Sequence, residues 1–444
     1  MRALLLFAVV LFAFLAVRWF RGDPGTAQAG AAQAPLVAGS AAEPQTTNVS
    51  PEGPARFLAP PSRPAASENP SPAATREASA PPATAAPDAT AWPASLLPTG
   101  GGPTEDVAVA AALVHGTPAE VQAAAAGLPR DRALLLESFA WAVAGEKQEA
   151  LSLSEKISSK DGLESRERAF FEAALTGRAA AQASTASGPV PLAMEMALLA
   201  RDARRALDAK DFVAAAEGYS DLLKGELGAP WAPDRRVLAG WTDGLRVAQR
   251  EYRWNPRATW PGIEVKVQPG ESLIGIRKRY LADRPDARMC TGLVERANRV
   301  KGYLQPGQTL RIPTDAVRVL VDLDARWALF LMGEEVAAAW PVGIGRPGED
   351  TPPGDYTVRN KLENPPWMKE GQEPIPFGDP RNPLGTRWMG WSKDGAKTSY
   401  GFHGTWDPDS IGQAQSDGCV RFLNADVEEL FQILPEGAPI RIEG

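Results

Sequence analysis

Ser416-Asp417-Gly418-Cys419-Val420-Arg421-Phe422 decides how the C-terminal part of this 444-residue chain is read. The stretch holds one of only two cysteines, the other being Cys290. A thiol becomes a good nucleophile when a base or a positive environment draws off its proton. The only histidine after His115 is His403, 16 residues before Cys419, in Tyr400-Gly401-Phe402-His403-Gly404-Thr405. That segment reads as a strand running into a glycine turn. A strand end and a later turn can face each other, and Gly418 permits the tight backbone that would aim the thiol outward. Backbone N–H groups of Gly418 and Cys419 could then hold an oxyanion, and Arg421 would add positive charge. From these residues alone, a buried cysteine beside a packing histidine reads equally well.

Around this stretch the pattern is mainly β. Val317, Val319 and Val321, then Ala328, Phe330 and Met332, then Val336 to Val342 alternate as paired strands. TPPGDYTV (351–358) is a turn and a strand. NPPW (364–367), FGDPRNPLGTRWMGW (377–391) and TSYGFHGTWDPDSIG (398–412) are rich in Gly, Pro and Trp and read as loops wrapping a β core. NADVEELFQIL (424–434) is an amphipathic helix with Val427, Leu430, Phe431 and Leu434 on one face, and APIRI (438–442) is a last strand.

Taken together, 316–444 resembles an L,D-transpeptidase catalytic domain of the YkuD type. The resemblance rests on His403-Gly404-Thr405, on Ile411-Gly412, and on Ser416 to Phe422. It rests also on the Thr-Pro-Pro-Gly entry at 351–354 and the Asn-Pro-Leu-Gly segment at 382–385. It implies that Cys419 is the nucleophile and His403 its base. The Gly404 carbonyl would orient the imidazole, Gly418 and Cys419 would hold the oxyanion, and Ser416, Asp417 and Arg421 would support the site. The family usually carries histidine where this chain has Asp417. An acid there either stabilises a protonated His403 or opposes the thiolate, depending on which group it faces.

A shorter module precedes this domain. IEVKV (263–267) alternates, a Pro-Gly turn follows, and two helical segments lead to a second Pro-Gly turn and a closing strand, Thr309 to Ile312. This β-α-α-β order over 262–314 resembles a LysM domain, on Gln268 to Leu273, Ala297-Asn298 and Pro306 to Pro313. The resemblance implies binding of N-acetylglucosamine-containing glycan through Gly270, Ser272, Leu273 and Asn298. The bland alternative is a packing module without sugar affinity. Cys290 reads as a buried small residue.

Residues 105–254 have helical period and resemble tetratricopeptide-type repeats. Thr117 is an N-cap with Glu120 completing a capping box, and a helical hairpin turns at Ala209-Lys210-Asp211. Such a region offers a partner-binding groove or acts as a spacer packed on its neighbours. His115 reads as a cap or surface residue rather than a metal ligand. Residues 23–104 carry 16 of the 41 prolines among Ala, Ser, Thr and Gly, too little apolar surface to offset chain entropy. They read as a disordered linker. Residues 1–22 begin with Arg2 and an apolar run from Ala3 to Val17, a signal peptide or membrane anchor.

The formal charge of −7 argues against nucleic acid as a partner, and two cysteines cannot make a disulfide framework. No metal-ligand spacing is visible, and the implied chemistry needs no cofactor. The expected architecture is therefore multidomain: an anchor, a linker, a helical region, a β-α-α-β module and a mainly β catalytic domain. Its expected location is the cell envelope on the periplasmic side, inner-membrane anchored or secreted. The resemblances imply cysteine-based acyl transfer on peptidoglycan stem peptides beside the glycan strands. Two alternatives stand: a carboxypeptidase or endopeptidase on the same site, and a non-catalytic wall-binding scaffold.

Overall fold

The structure, a computed structural model, describes residues 106–158, 165–180, 192–282, 284, 289–368 and 373–444. The N-terminal segment 1–22 and the linker 23–104 lie outside them. Among the described residues, no helix is long and apolar enough to cross a membrane.

The helical region opens with α1 (Val107–His115), α2 (Pro118–Ala124), α3 (Arg130–Ala144), α4 (Lys147–Ser154) and α5 (Ser165–Thr176). It continues with α6 (Leu192–Asp208), α7 (Phe212–Leu227) and α8 (Arg235–Glu251). Thr117 caps α2, and Glu120 returns the bond to the Thr117 N–H, the capping box its sequence predicts. The α6–α7 turn at 209–211 has Lys210 at φ 63°, as a left-handed helix exit requires. His115, expected as a cap or surface residue, ends α1 but is not on the open surface. Its Nε2 lies 2.6 Å from the buried Glu226 carboxylate, which also accepts from Trp231 Nε1. The reason is that α1 packs back against the later helices rather than standing free.

The short module pairs β1 (Gly262–Lys266) with β2 (Thr309–Pro313) antiparallel, around α9 (Leu273–Ala282) and α10 (Thr291–Asn298). Val267, Ile276, Tyr280, Met289, Val294, Leu310 and Ile312 form its own small core. Cys290 is half-buried at the start of α10, with its Sγ 3.2 Å from the Gln432 carbonyl. It is a docking contact rather than an interior residue.

The last region builds an eight-stranded curled sheet. Its strands are β3 (Val317–Asp322), β4 (Trp327–Met332), β5 (Glu335–Pro341), β7 (Gly354–Glu363), β8 (Arg387–Lys393), β9 (Ala396–His403), β11 (Val420–Arg421) and β12 (Pro439–Glu443). Their order is β11-β9-β8-β7-β12-β3-β4-β5. Two short strands, β6 (Ile344–Gly345) and β10 (Ala414–Ser416), pair beside it, and α11 (Asn424–Ile433) packs on β8 and β9. Of the loop expected over 377–391, residues 387–391 form part of strand β8 instead. Its residues alternate Trp388 and Gly390 on one face with Met389 and Trp391 on the other.

An exposed edge at β5 would leave a row of unpaired backbone groups. The helical region covers it. Ser220 Oγ accepts from Val336 N, Gln249 Nε2 donates to Val336 O, and Lys224 Nζ donates to Glu334 O. Arg253, just past α8, forms ion pairs with Asp315 and Glu335 at 2.7 and 2.8 Å with its side chain only 6% exposed. Apolar residues of α6–α8, α10 and the sheet join in one hydrophobic core. Helices α7 and α8 thus pack apolar surface on the chain's own sheet, while α1–α6 also build a core among themselves.

Removing one partner of such a buried charge cluster strands the others. Arg253→Ala should lower unfolding stability by about 3–5 kcal/mol, read as a lower urea midpoint. A loss below 1 kcal/mol would mean that the edge is held without it.

Candidate functional site

The site is built on one short parallel pairing. Strands β9 and β11 align Phe402 with Val420 and His403 with Arg421. Side chains alternate across a strand. Phe402, Val420, Met389 and Trp391 therefore enter the core, all essentially inaccessible to solvent. His403 and Arg421 fall on the opposite face, and Cys419 shares their parity just before β11.

Each of these positions is fixed locally. His403 is buried, and its Nδ1 lies 2.6 Å from the Gly404 carbonyl. A carbonyl can only accept, so Nδ1 carries the proton in the neutral ring and Nε2 keeps its lone pair. Gly404 has no room for a Cβ, which would run into Asn424 Oδ1 and come within 3.2 Å of Thr386 N. Trp388 pairs with His403 in register and stacks on it, with ring centres 6.1 Å apart and planes 24° apart. The ring lies over Gly401, where a Cβ would sit 2.7 Å from its edge.

The turn before Cys419 closes on itself. The buried Ser416 Oγ donates to the Cys419 carbonyl (2.6 Å) and accepts from Gly418 N–H (3.1 Å). The sequence assigns Gly418 N–H to an oxyanion, whereas the fold engages it inside the turn. The Cys419 N–H has no acceptor among the described residues. Gly418 has φ 97°, and a Cβ there would meet the Tyr400 ring at 2.6 Å. Outside the turn, Gly343 and Arg421 exchange backbone bonds of 2.9 and 2.8 Å, and Arg346 N donates to the Ser416 carbonyl. Arg235 of α8 and Arg326 both donate to the Gly412 carbonyl, at 3.1 and 2.8 Å.

Asp417 points outward and pairs with Arg346. It does not act on His403; it is the smallest of the influences on the Cys419 thiol, pushing it up. Burial comes first for both groups. Burial lowers the His403 imidazole to about 4, helped by the Arg421 charge. Burial raises the Cys419 thiol to about 11, against Gly401 N–H and Arg421, which favour the thiolate. At neutral pH both groups are therefore uncharged, and Cys419 is still partly open to solvent.

The expected glycan residues each serve the module's own fold. Asn298 is buried and bonds to Val294 O, Arg311 O and Arg311 N, tying α10 to β2. Ser272 Oγ accepts from Gly275 N at the start of α9, Leu273 packs on the module's core, and Gly270 makes the turn at φ 74°. Trp388, Asn424, Tyr400, Arg346 and Arg235 are site-shaping residues that sequence reasoning missed. Only Trp388 left a signal, the Trp-Met-Gly-Trp alternation of β8. No group of His, Cys, Asp and Glu among the described residues could hold a metal ion.

A half-buried thiol and a tautomer-locked imidazole thus share one parity of neighbouring strands. Residues 316–442 match the YkuD model, described as an L,D-transpeptidase catalytic domain. The chain is 35% identical over 125 residues to the putative L,D-transpeptidase YqjB of Bacillus subtilis, covering 28% of this chain and 69% of that protein. It is 30% identical over 183 residues to the putative L,D-transpeptidase YkuD of Bacillus licheniformis, covering 40% and 96%. The Bacillus subtilis YkuD is 30% identical over 164 residues, covering 35% and 88%. The chain belongs to the YkuD family of L,D-transpeptidases.

Burial of His403 has a stability signature. The unfolded imidazole takes up a proton below its ordinary value of 6.5, while the folded one stays neutral down to about 4. The unfolded state thus holds more protons in that window, and stability falls as pH drops through it. His403→Gln should remove on the order of 3 kcal/mol of this dependence between pH 6.5 and 4. Urea titrations of both proteins at several pH values would check it; parallel curves would contradict the burial.

Proposed function

We propose that the chain is a cysteine-dependent peptidoglycan L,D-transpeptidase. The observation that carries this reading is the shared face of Cys419 and His403, with His403 Nε2 left as a free base. In the first half-reaction, His403 Nε2 takes the Cys419 proton as Sγ attacks the amide carbonyl after the third residue of a stem peptide. The tetrahedral oxyanion forms beside the Cys419 N–H and the Arg421 charge. Collapse expels the terminal D-alanine, whose amine takes the proton from His403, and leaves a Cys419 thioester. In the second half-reaction an acceptor amine gives its proton to His403 and attacks the thioester, which releases the thiol. The acceptor amine belongs to a neighbouring stem, giving a 3→3 cross-link, or to a protein.

The neutral resting pair fits this order of events. A buried thiol at about 11 stays protonated until substrate is in place, so the thiolate forms only as it is consumed. Asp417, held by Arg346 outside the pocket, does not silence the pair.

The β-α-α-β module is read as a LysM domain that would hold glycan beside the catalyst. The alignment with the Bacillus licheniformis protein spans 40% of this chain, more than residues 316–442 contain, and so reaches back into this module. Since Asn298 and Ser272 serve the module's own fold, glycan contact would fall to its exposed turns. A tether from a membrane anchor would place both modules in the cell envelope, where the effective concentration of wall substrate is high.

The deciding experiment is intact-mass analysis of the soluble protein after exposure to a carbapenem, an acylating mimic of the stem peptide. One covalent adduct is expected, absent from Cys419→Ala. A folded protein that takes up no adduct would overturn the nucleophile assignment.

A further inference from the structure

Next to the His403 face lies a group of polar side chains that acyl transfer at Cys419 does not use. Strand β7 carries a bulge. Val358 pairs with Trp391, but Asn360 pairs with Gly390, so Arg359 is the extra residue. A bulge re-aims side chains. Here it brings Arg359 and Asn360 together above Gly390, on the face that holds Trp388 and His403. A Cβ built on Gly390 would lie 2.5 Å from Asn360 Oδ1 and 2.9 Å from both Arg359 Nη2 and Trp388 Nε1. Three polar groups thus converge on one point, with glycine at its floor.

Arg359 Nε and Asn360 Oδ1 are buried without a hydrogen-bond partner among the described residues. Arg359 has no carboxylate within ion-pair distance among them either. Leaving such groups unpaired costs about 1–3 kcal/mol each, and a bound acceptor would pair the Arg359 donor. A guanidinium, an indole N–H and an amide that can turn its NH₂ inward match a carboxylate.

We propose that Arg359, Asn360 and Trp388 form a carboxylate-binding subsite for the peptide donor, resting on the acyl-transfer reading of Cys419. Position supports it. Strands β11, β9 and β8 are neighbours, so Gly390 lies about two strand spacings, roughly 10 Å, from Cys419. One to three residues of peptide span that distance. The carboxylate is either the donor's terminal one or a side-chain carboxylate next to the scissile bond. Binding it would hold the scissile carbonyl in register with Cys419, and Trp388 would couple this grip to the His403 ring it stacks on.

The test uses the full chain carrying Cys419→Ala, which cannot turn over. Calorimetry would compare a stem tetrapeptide with two analogues, one amidated at the terminal carboxylate and one at the side-chain carboxylate. One amide should bind at least tenfold more weakly than the acid, and which one it is identifies the carboxylate. Adding Arg359→Gln should bring acid and amide to equal affinity, and Trp388→Phe, which keeps the ring but loses the N–H, should narrow the gap several-fold. Equal binding of all three peptides, or full discrimination retained in both variants, would overturn the subsite. Turnover assays with Cys419 intact separate the two readings. Discrimination without acyl transfer would sink the function and leave the subsite, and transfer without discrimination would do the reverse.

Discussion

Four residues in parallel register set the rest. With Phe402 opposite Val420 and His403 opposite Arg421, a slip of one residue would send His403 into the core and Phe402 into the site. The register is held from both faces. Beneath it, Phe402 meets Phe422 and Trp391 edge-on, and Phe422 meets Trp340 in the same way. Around it, Gly343 grips Arg421 through two backbone bonds, and Arg346 N takes the Ser416 carbonyl. An aromatic floor and a backbone strap together leave the thiol one address.

Burial is what tunes the chemistry. The sheet face is closed enough to drive imidazole and thiol in opposite directions, both toward neutrality. An exposed pair would ionise more readily but would also be oxidised or alkylated more readily. At rest, burial favours the uncharged form of both groups. Asp417 is compatible with this because Arg346 meets its charge outside the pocket.

Much of this was legible in sequence. The alternation of Val317 to Val321 and the apolar face of the final helix are periodic signals, and His403 and Cys419 are scarce residue types that stand out. Other features had no local signature. Gly418 reads as a free donor until Ser416 Oγ is seen to claim it, because the competing acceptor lies within the same tight turn. Asn298 reads as a ligand contact until both ends of its amide are found satisfied by backbone. Strand β8 hides in a stretch so rich in Gly, Pro and Trp that composition outweighs its period-two pattern. The bulge at Arg359 depends on pairing with a distant strand, and Arg253 finds its carboxylates 62 and 82 residues away. Those are tertiary facts, and no window along the chain contains them.

The arginine at the start of α8 bears on how the chain can be divided. Arg235 reaches across 177 residues to the Gly412 carbonyl, in the loop that leads to Cys419. The helical region therefore acts as a clamp on the loop before Cys419 while it also seals the β5 edge. A cut between the helices and the β-α-α-β module would free that loop and bare a strand. What looks like a string of separable beads is mechanically a single block, and its smallest working piece extends well upstream of the part that carries the chemistry.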